Sequence, residues 1–145
     1  SGSDERQYCS PGFDLPVGSL MRSMYGAYPE YHTSLDNMDV VTSDALADTL
    51  KAYLRMVQVH ELNRPYINRS PWGEPQLSKR GLYSTLGAVG SKSVSEDQDR
   101  IMYLLAYSDG TKDIVDIANL TKWPAWQFAP GIKALVDAGL LVVQQ

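Results

Sequence analysis

The chain is short of cysteine, of histidine and of positive charge, and each shortage removes a class of function. One cysteine in 145 residues, Cys9, cannot close an internal disulfide, which fits a reducing cytoplasm as the expected compartment. Cys9 also lacks a second cysteine or a closely spaced histidine, so it makes no metal motif. A structural or incidental thiol suits it better than a nucleophile. Thirteen Lys and Arg against seventeen Asp and Glu leave a net charge of -4 and a pI near 5.0, which argues against an electrostatically driven nucleic-acid binder. No apolar run approaches the roughly 18 to 20 residues of a membrane span, and no charged-then-apolar signal peptide opens the chain. What is present is 43% hydrophobic and 10% aromatic residues, enough for a core in one medium domain or two small ones.

The opening "SGSDERQYCSPGFDLP" has neither a helix nor a strand period and no initiator methionine, yet it carries polar residues of a kind that line sites. The expectation is a chain cut from something longer. Val17, Leu20 and Met21 suit a short buried strand or turn. From Thr42 the pattern sharpens: Thr42-Ser43-Asp44 can cap a helix, and Leu46, Leu50, Tyr53, Leu54 and Val57 recur on one face of it until Asn63-Arg64-Pro65. Residues 65–92 then form a long irregular connection, expected to pack through Tyr66, Trp72, Leu77, Leu82 and Tyr83. Residues 93–145 read as three short helices and a strand. Ser95 can cap the first, over Ile101, Met102, Leu104 and Leu105; Asp113 starts the second, through Ile114, Ile117, Ala118 and Leu120. Trp123-Pro124 opens the third, through Phe128, Ile132, Leu135 and Val136, with Pro130-Gly131 expected to kink or delay it. With "LLVVQQ" as the strand, this is a winged helix-turn-helix pattern. Counted from Lys92, residues 92–145 hold five Lys and Arg against seven acids, and the third helix offers Trp126, Gln127 and Lys133 but no arginine for a guanine edge or a phosphate. A packing or protein-contact module, including a homo-oligomer contact, fits better than a DNA reader.

Site chemistry centres on "EYHTSLDN", residues 30–37. His32 is a metal ligand, a general base or a solvated loop residue. A phenol precedes it, Thr33 and Ser34 follow, and Asp36 stands four positions on, groups that could orient an imidazole through its second nitrogen. Asp4 and Glu5 form an acidic pair beside Arg6, with a salt-bridged turn as the alternative to a site. His60, at the end of the amphipathic helix, suits a cation at a helix carboxyl terminus. Tyr25, Tyr28 and Tyr31 recur every third residue and could pack as a wall.

Together "SDERQYCSPG" and "EYHTSLDN" resemble the carboxy-terminal half of the zinc aminopeptidase fold that also includes glutaminyl cyclases. "GSDERQYCSPG", "EYHTSLDN", "EPQLSKRGLY" and "YSDGTKDIVDIA" are similar, more narrowly, to a bacterial branch of aminopeptidase-like proteins associated with polysaccharide biosynthesis, whose members end in a winged helix. The resemblance implies an α/β fold class: the end of a zinc aminopeptidase-like α/β domain at residues 1–64, a connecting segment at 65–92 packed on it, and a winged helix at 93–145. It implies that His32 binds zinc, that Tyr31 is catalytic through its hydroxyl on an oxyanion, and that Asp4, Glu5 and Asp36 lie on the substrate side or behind the metal. Glu5 departs from the histidine often found there, which leaves the substrate and peptidase activity open. The family's upstream His and Asp or Glu ligands belong to segments this chain lacks. The expected function is thus the carboxy-terminal portion of a zinc hydrolase acting on a peptide or amide bond, inert as a fragment. Two rivals stand beside it: a non-catalytic protein-binding module and a DNA-binding regulator.

Overall fold

A computed structural model describes residues 3–82 and 92–144. The chain separates into two compact units, Ser1–Ala52 and Tyr53–Gln145. The first contains α1 (Ser3–Tyr8) and the opening turns of α2 (Ser43–Leu62). Thr42 caps α2 as its sequence suggests, its Oγ1 accepting from the Ala45 N–H at 3.1 Å. The stretch between the two helices is a succession of turns. Three of the sequence expectations are corrected here. The polar opening is helical from Ser3, although six residues are too few to display a period. Val17, Leu20 and Met21 form no strand and are exposed, and the α2 face of Leu46, Leu50, Tyr53, Leu54 and Val57 is exposed rather than buried. Among the described residues of this first unit there is no strand and no buried side chain, so the α/β character expected of it is absent there.

The second unit holds the core. After α2 come β1 (Tyr66–Asn68), a 3-10 turn (Ser78–Arg80), α3 (Lys92–Tyr107), α4 (Ile114–Thr121), a second 3-10 turn (Ala125–Phe128), α5 (Ala129–Asp137) and β2 (Leu141–Val143). The two strands pair antiparallel, Tyr66 with Val143, Ile67 with Val142 and Asn68 with Leu141. The turn after α3 runs along the other side of β1: Asn68 N–H donates to Ser108 O at 2.7 Å and Gly110 N–H to Tyr66 O at 2.9 Å. That turn demands glycine. Gly110 has φ +86, and a Cβ there would meet Gln144 Oε1 at 2.8 Å. Gly131 serves a different need: a Cβ at that position would approach Leu104 Cδ1 to 3.1 Å, so its absence lets α5 close on α3.

Leu104, Ile114, Ile117, Phe128, Leu135 and Leu141 are fully buried, and Tyr66, Leu77, Ile132 and Leu140 complete the cluster with their neighbours. Burying this set removes apolar area from water at roughly 25 cal/mol per Å², which is the main force holding the unit together. Polar groups fix its geometry. Asp113 and Asp116 form a reciprocal capping box at the start of α4, and Asn63 clamps the same end, donating from Nδ2 to Asp113 Oδ2 at 3.0 Å and accepting from the Val115 N–H at 2.9 Å. The Pro130-Gly131 pair delays the third helix as expected: the segment opens as a 3-10 turn and becomes α-helical only at Ala129, with Pro130 in the first turn.

Other expectations for this unit need revision. The first helix begins at Lys92, so Ser95 lies inside it rather than capping it. Leu120 and Val136 are exposed. Of the residues expected to pin the 65–92 segment, Leu77 is buried and Leu82 packs against the core, Trp72 is 98% exposed, and Tyr83 lies outside the described residues. The hydroxyl needs of Tyr66 and the ladder bonds of β1 explain why this segment is ordered without Trp72: Tyr66 Oη donates to Leu62 O at 3.3 Å, and its burial raises the phenol pKa above the ordinary value, Arg64 opposing. Among the described residues no helix is long and apolar enough to cross a membrane.

Candidate functional site

The segment 28–40 is built from overlapping turns that recruit its own hydroxyls. Thr33 N–H and Oγ1 both donate to Glu30 O, at 3.0 and 2.7 Å, and Thr33 Oγ1 accepts from the Leu35 N–H at 3.2 Å. Asn37 Oδ1 accepts from the Asp39 N–H at 2.8 Å. This wrapping forces His32 into the left-handed region at φ 59, a conformation that costs a non-glycine residue about 1 kcal/mol or more. The imidazole is exposed and stacks on the Tyr31 ring, centroids 4.0 Å apart and planes 17° apart. Tyr31 in turn meets Tyr25 at 6.1 Å and Tyr28 edge-on at 5.7 Å. The three-residue recurrence of tyrosines is thus an aromatic wall, and His32 is its last layer.

Ring stacking therefore holds the imidazole, where hydrogen bonds from Thr33, Ser34 or Asp36 had been the expectation. Thr33 cannot serve because its hydroxyl is committed to Glu30. Asp36 acts instead on Tyr28: burial raises the Tyr28 pKa, and the negative charges of Asp36, Tyr31 and Glu30 raise it further. Tyr28 is the site residue that sequence reasoning left as mere packing. It lines a cavity of about 510 Å³ with Arg22, Glu30, Val41 and Leu46, just before α2. The only hint in the sequence was its place in the tyrosine recurrence.

Asp4 and Glu5 occupy the first turn of α1, so they project about 100° apart around a helix. Glu5 accepts a hydrogen bond from the Ser19 hydroxyl, not from Tyr31 or His32. The Cys9 thiol donates to Leu15 O at 3.1 Å, a structural use. His60 sits exposed in the last turn of α2. Among the described residues no group of three His, Cys, Asp or Glu converges on a point where a metal ion could sit. His32 offers one donor, and catalytic zinc needs three from protein.

On the winged unit, two of the three side chains that the third helix offers for recognition are half-buried against arginines, and the third forms an exposed ion pair. Trp126 lies under the Arg55 guanidinium at 5.0 Å, Gln127 Oε1 accepts from Arg100 at 3.1 Å, and Lys133 pairs with Asp137 one turn on. Arg100 itself stacks on Trp123 at 4.7 Å.

Comparison with known proteins divides the chain near the end of α2. Residues 1–63 match the model of a domain of unknown function (DUF4910), and residues 64–143 match the model of a winged helix-turn-helix. A Clostridium acetobutylicum protein, named as a presumed polysaccharide biosynthesis protein with an aminopeptidase-like domain, is 49% identical over 117 residues. That alignment covers 81% of this chain and 26% of the relative. A crystal structure at 2.37 Å of a presumed peptidase from Clostridium acetobutylicum superposes with a TM-score of 0.77 at 40% identity, covering 99% of this chain and 30% of that one. The chain thus spans less than a third of the length of either. The two-stranded wing, the three-helix core and the match over residues 64–143 place the chain in the winged helix-turn-helix family.

Proposed function

We propose that the chain is the carboxy-terminal portion of a zinc-dependent aminopeptidase-like hydrolase that cleaves an amide or peptide bond, with residues 1–64 forming one wall of the catalytic site. The observation that carries the reading is the Tyr31-His32 pair, an exposed imidazole held by ring stacking on a tyrosine wall and kept in a costly left-handed backbone conformation. The peptidase names of its relatives in Clostridium acetobutylicum support the same reading. The described residues of this chain do not by themselves fit a zinc site. In the longer protein His32 contributes a single ligand, and the remaining donors come from outside residues 1–145. The Tyr31 hydroxyl donates to the oxygen of the scissile carbonyl as negative charge develops on it. Asp36, Asp4 and Glu5 line the approach of the substrate. The winged unit makes protein contacts rather than DNA contacts, because residues 92–145 hold more acids than bases and Trp126 and Gln127 of the third helix are engaged by Arg55 and Arg100.

The test is made in the full-length protein. His32→Ala should lower bound zinc, measured by elemental analysis, while the melting temperature holds. Tyr31→Phe should keep the zinc and lose turnover by roughly a hundredfold, the usual scale for one oxyanion donor. Full zinc occupancy in His32→Ala would sink the metal assignment. The reading would then pass to a non-catalytic binding module.

A further inference from the structure

The helix α2 has more apolar surface than the chain covers. At 100° per residue, Leu46, Leu50, Tyr53, Leu54 and Val57 fall within an arc of about 100°, the width of a stripe that faces a core. Leu46, Leu50, Leu54 and Val57 nevertheless stand between 58 and 60% exposed. Ala45, Thr49 and Ala52 lie about 120° round the helix and are half-buried, Thr49 returning its hydroxyl to Ala45 O at 2.9 Å. Asp44, Asp48, Lys51, Arg55 and Gln58 take the third side, where Lys51 pairs with Asp48 in solvent and Arg55 lies over Trp126. A helix lying on a surface needs one side turned inward. A second, fully apolar and left open, belongs to a helix held between two layers.

The surroundings of the stripe point to what covers it. Among the described residues of the first unit no side chain is buried, and Phe13, Met24, Leu35 and Met38 are exposed along with the stripe. A body of that size which buries nothing of its own lacks the main source of folding stability, so its cover is part of its folded state and not an occasional encounter. Pairing two copies stripe to stripe would bury only five side chains from each, short of the roughly 20 to 30 residues a side of a stable interface. Relatives of the same sequence pattern and fold carry these residues as less than a third of their length. A cover on the same polypeptide meets the stripe at an effective concentration that a separate partner does not match.

We propose that the stripe from Leu46 to Val57 is an intrachain interface. In the longer protein it seats α2 on an apolar surface formed by residues outside 1–145, which makes α2 an inner helix of the larger body and not a tether for the winged unit. The inference rests on the hydrolase reading only for the existence of those residues, and it needs neither zinc nor turnover.

The experiment is thiol labelling. Leu50→Cys, Leu54→Cys and, on the polar side, Gln58→Cys are each made in the full-length protein and in the 145-residue chain. Maleimide uptake is followed by the mass of the peptide that spans α2, which has no cysteine of its own. In the full-length protein Leu50→Cys and Leu54→Cys should label at least about a hundredfold more slowly than Gln58→Cys, as expected of positions reached only by local opening. In the 145-residue chain all three should label at similar rates. Leu54→Asp should lower the melting temperature of the full-length protein and leave that of the 145-residue chain unmoved, since the side chain already stands in water there. Equal labelling of all three positions in the full-length protein overturns the proposal. So does protection of Leu50→Cys in the 145-residue chain that grows with its concentration, which would make the occupant a second copy. Where a cysteine variant of the full-length protein fails to fold, hydrogen exchange of the unaltered protein decides: α2 amides that exchange no more slowly there than in the 145-residue chain overturn the proposal equally. A protected stripe in a full-length protein that binds no zinc would sink the hydrolase reading and leave this one standing.

Discussion

Residues 1–52 and 53–145 spend similar sequence material in opposite ways. The first unit is not poor in apolar residues, yet Phe13 is 70% and Met38 76% exposed and none of its described side chains is buried. The second unit hides twelve apolar residues in one cluster among its described residues. The contrast teaches that order within a chain has two sources. In the first unit it comes from local devices: a capped helix, hydroxyl-to-carbonyl turns and stacked rings, each holding a few neighbouring residues. In the second it comes from contacts between residues far apart in sequence, such as Tyr66 with Val143 and Asn63 with Asp113. Local devices place a side chain such as His32, whereas non-local ones make a cooperative body.

Several substitutions sharpen or break that contrast, measured by chemical denaturation of the chain. Phe128→Ala should cost the second unit about 3 to 5 kcal/mol, since Phe128 is completely buried. Asp113→Ala should cost about 1 to 2 kcal/mol, because it removes a helix cap and takes the acceptor from Asn63 Nδ2. Lys122→Gly should stabilise by roughly 0.5 to 1 kcal/mol: Lys122 ends α4 at φ 61, a conformation that only glycine adopts without strain. An effect of the opposite sign would mean that the lysine side chain is needed there. Phe13→Ala should move the midpoint by less than about 0.5 kcal/mol. If Phe13→Ala rivalled Phe128→Ala, the division into a core-bearing and a core-free unit would fail.

A pH measurement adds a further probe of the second unit. Hydrogen bonds from the Thr111 side chain and backbone, then the Lys112 ammonium, hold the Asp109 pKa down at about 2. A carboxylate with a depressed folded pKa stabilises the fold above its unfolded value near 4 and loses that contribution as pH falls toward 2. The melting temperature should therefore fall across that interval, and Asp109→Asn should flatten the fall. A slope unchanged in Asp109→Asn would assign the acid sensitivity to other carboxylates.

How much of this was readable in advance depended on the range of the interaction concerned. Thr42 and the recurrence from Leu46 to Val57 announce α2, Asp113 announces α4, and Pro130-Gly131 announces the broken start of α5, because caps and proline act within one turn. The tyrosine wall was readable for the same reason. Three features were not. α1 is too short for a period, β1 exists through pairing with β2 some 75 positions later and with the turn after α3, and the burial of the α2 face was misjudged because a periodic stripe states that a face can be covered, not that anything covers it. Trp72 is the sharpest case: its size predicted burial, yet the segment is anchored by Tyr66 and Leu77 instead.

The candidate site divides along the same line. Which residues stand together in "EYHTSLDN" is a property of the sequence alone, and their short spacing all but guarantees turns with side-chain hydrogen bonds. That Thr33 turns to Glu30 rather than to the imidazole, that His32 lies flat on Tyr31, and that Tyr28 rather than Asp36 faces a cavity were decided by the fold of residues 20–50. The same holds for the winged unit. Its acidic balance and its helices were written in the order of residues. The Ser108 hydroxyl came to be buried without a partner among the described residues only when β1 docked against the turn after α3, since composition counts groups but only tertiary structure decides which of them are satisfied.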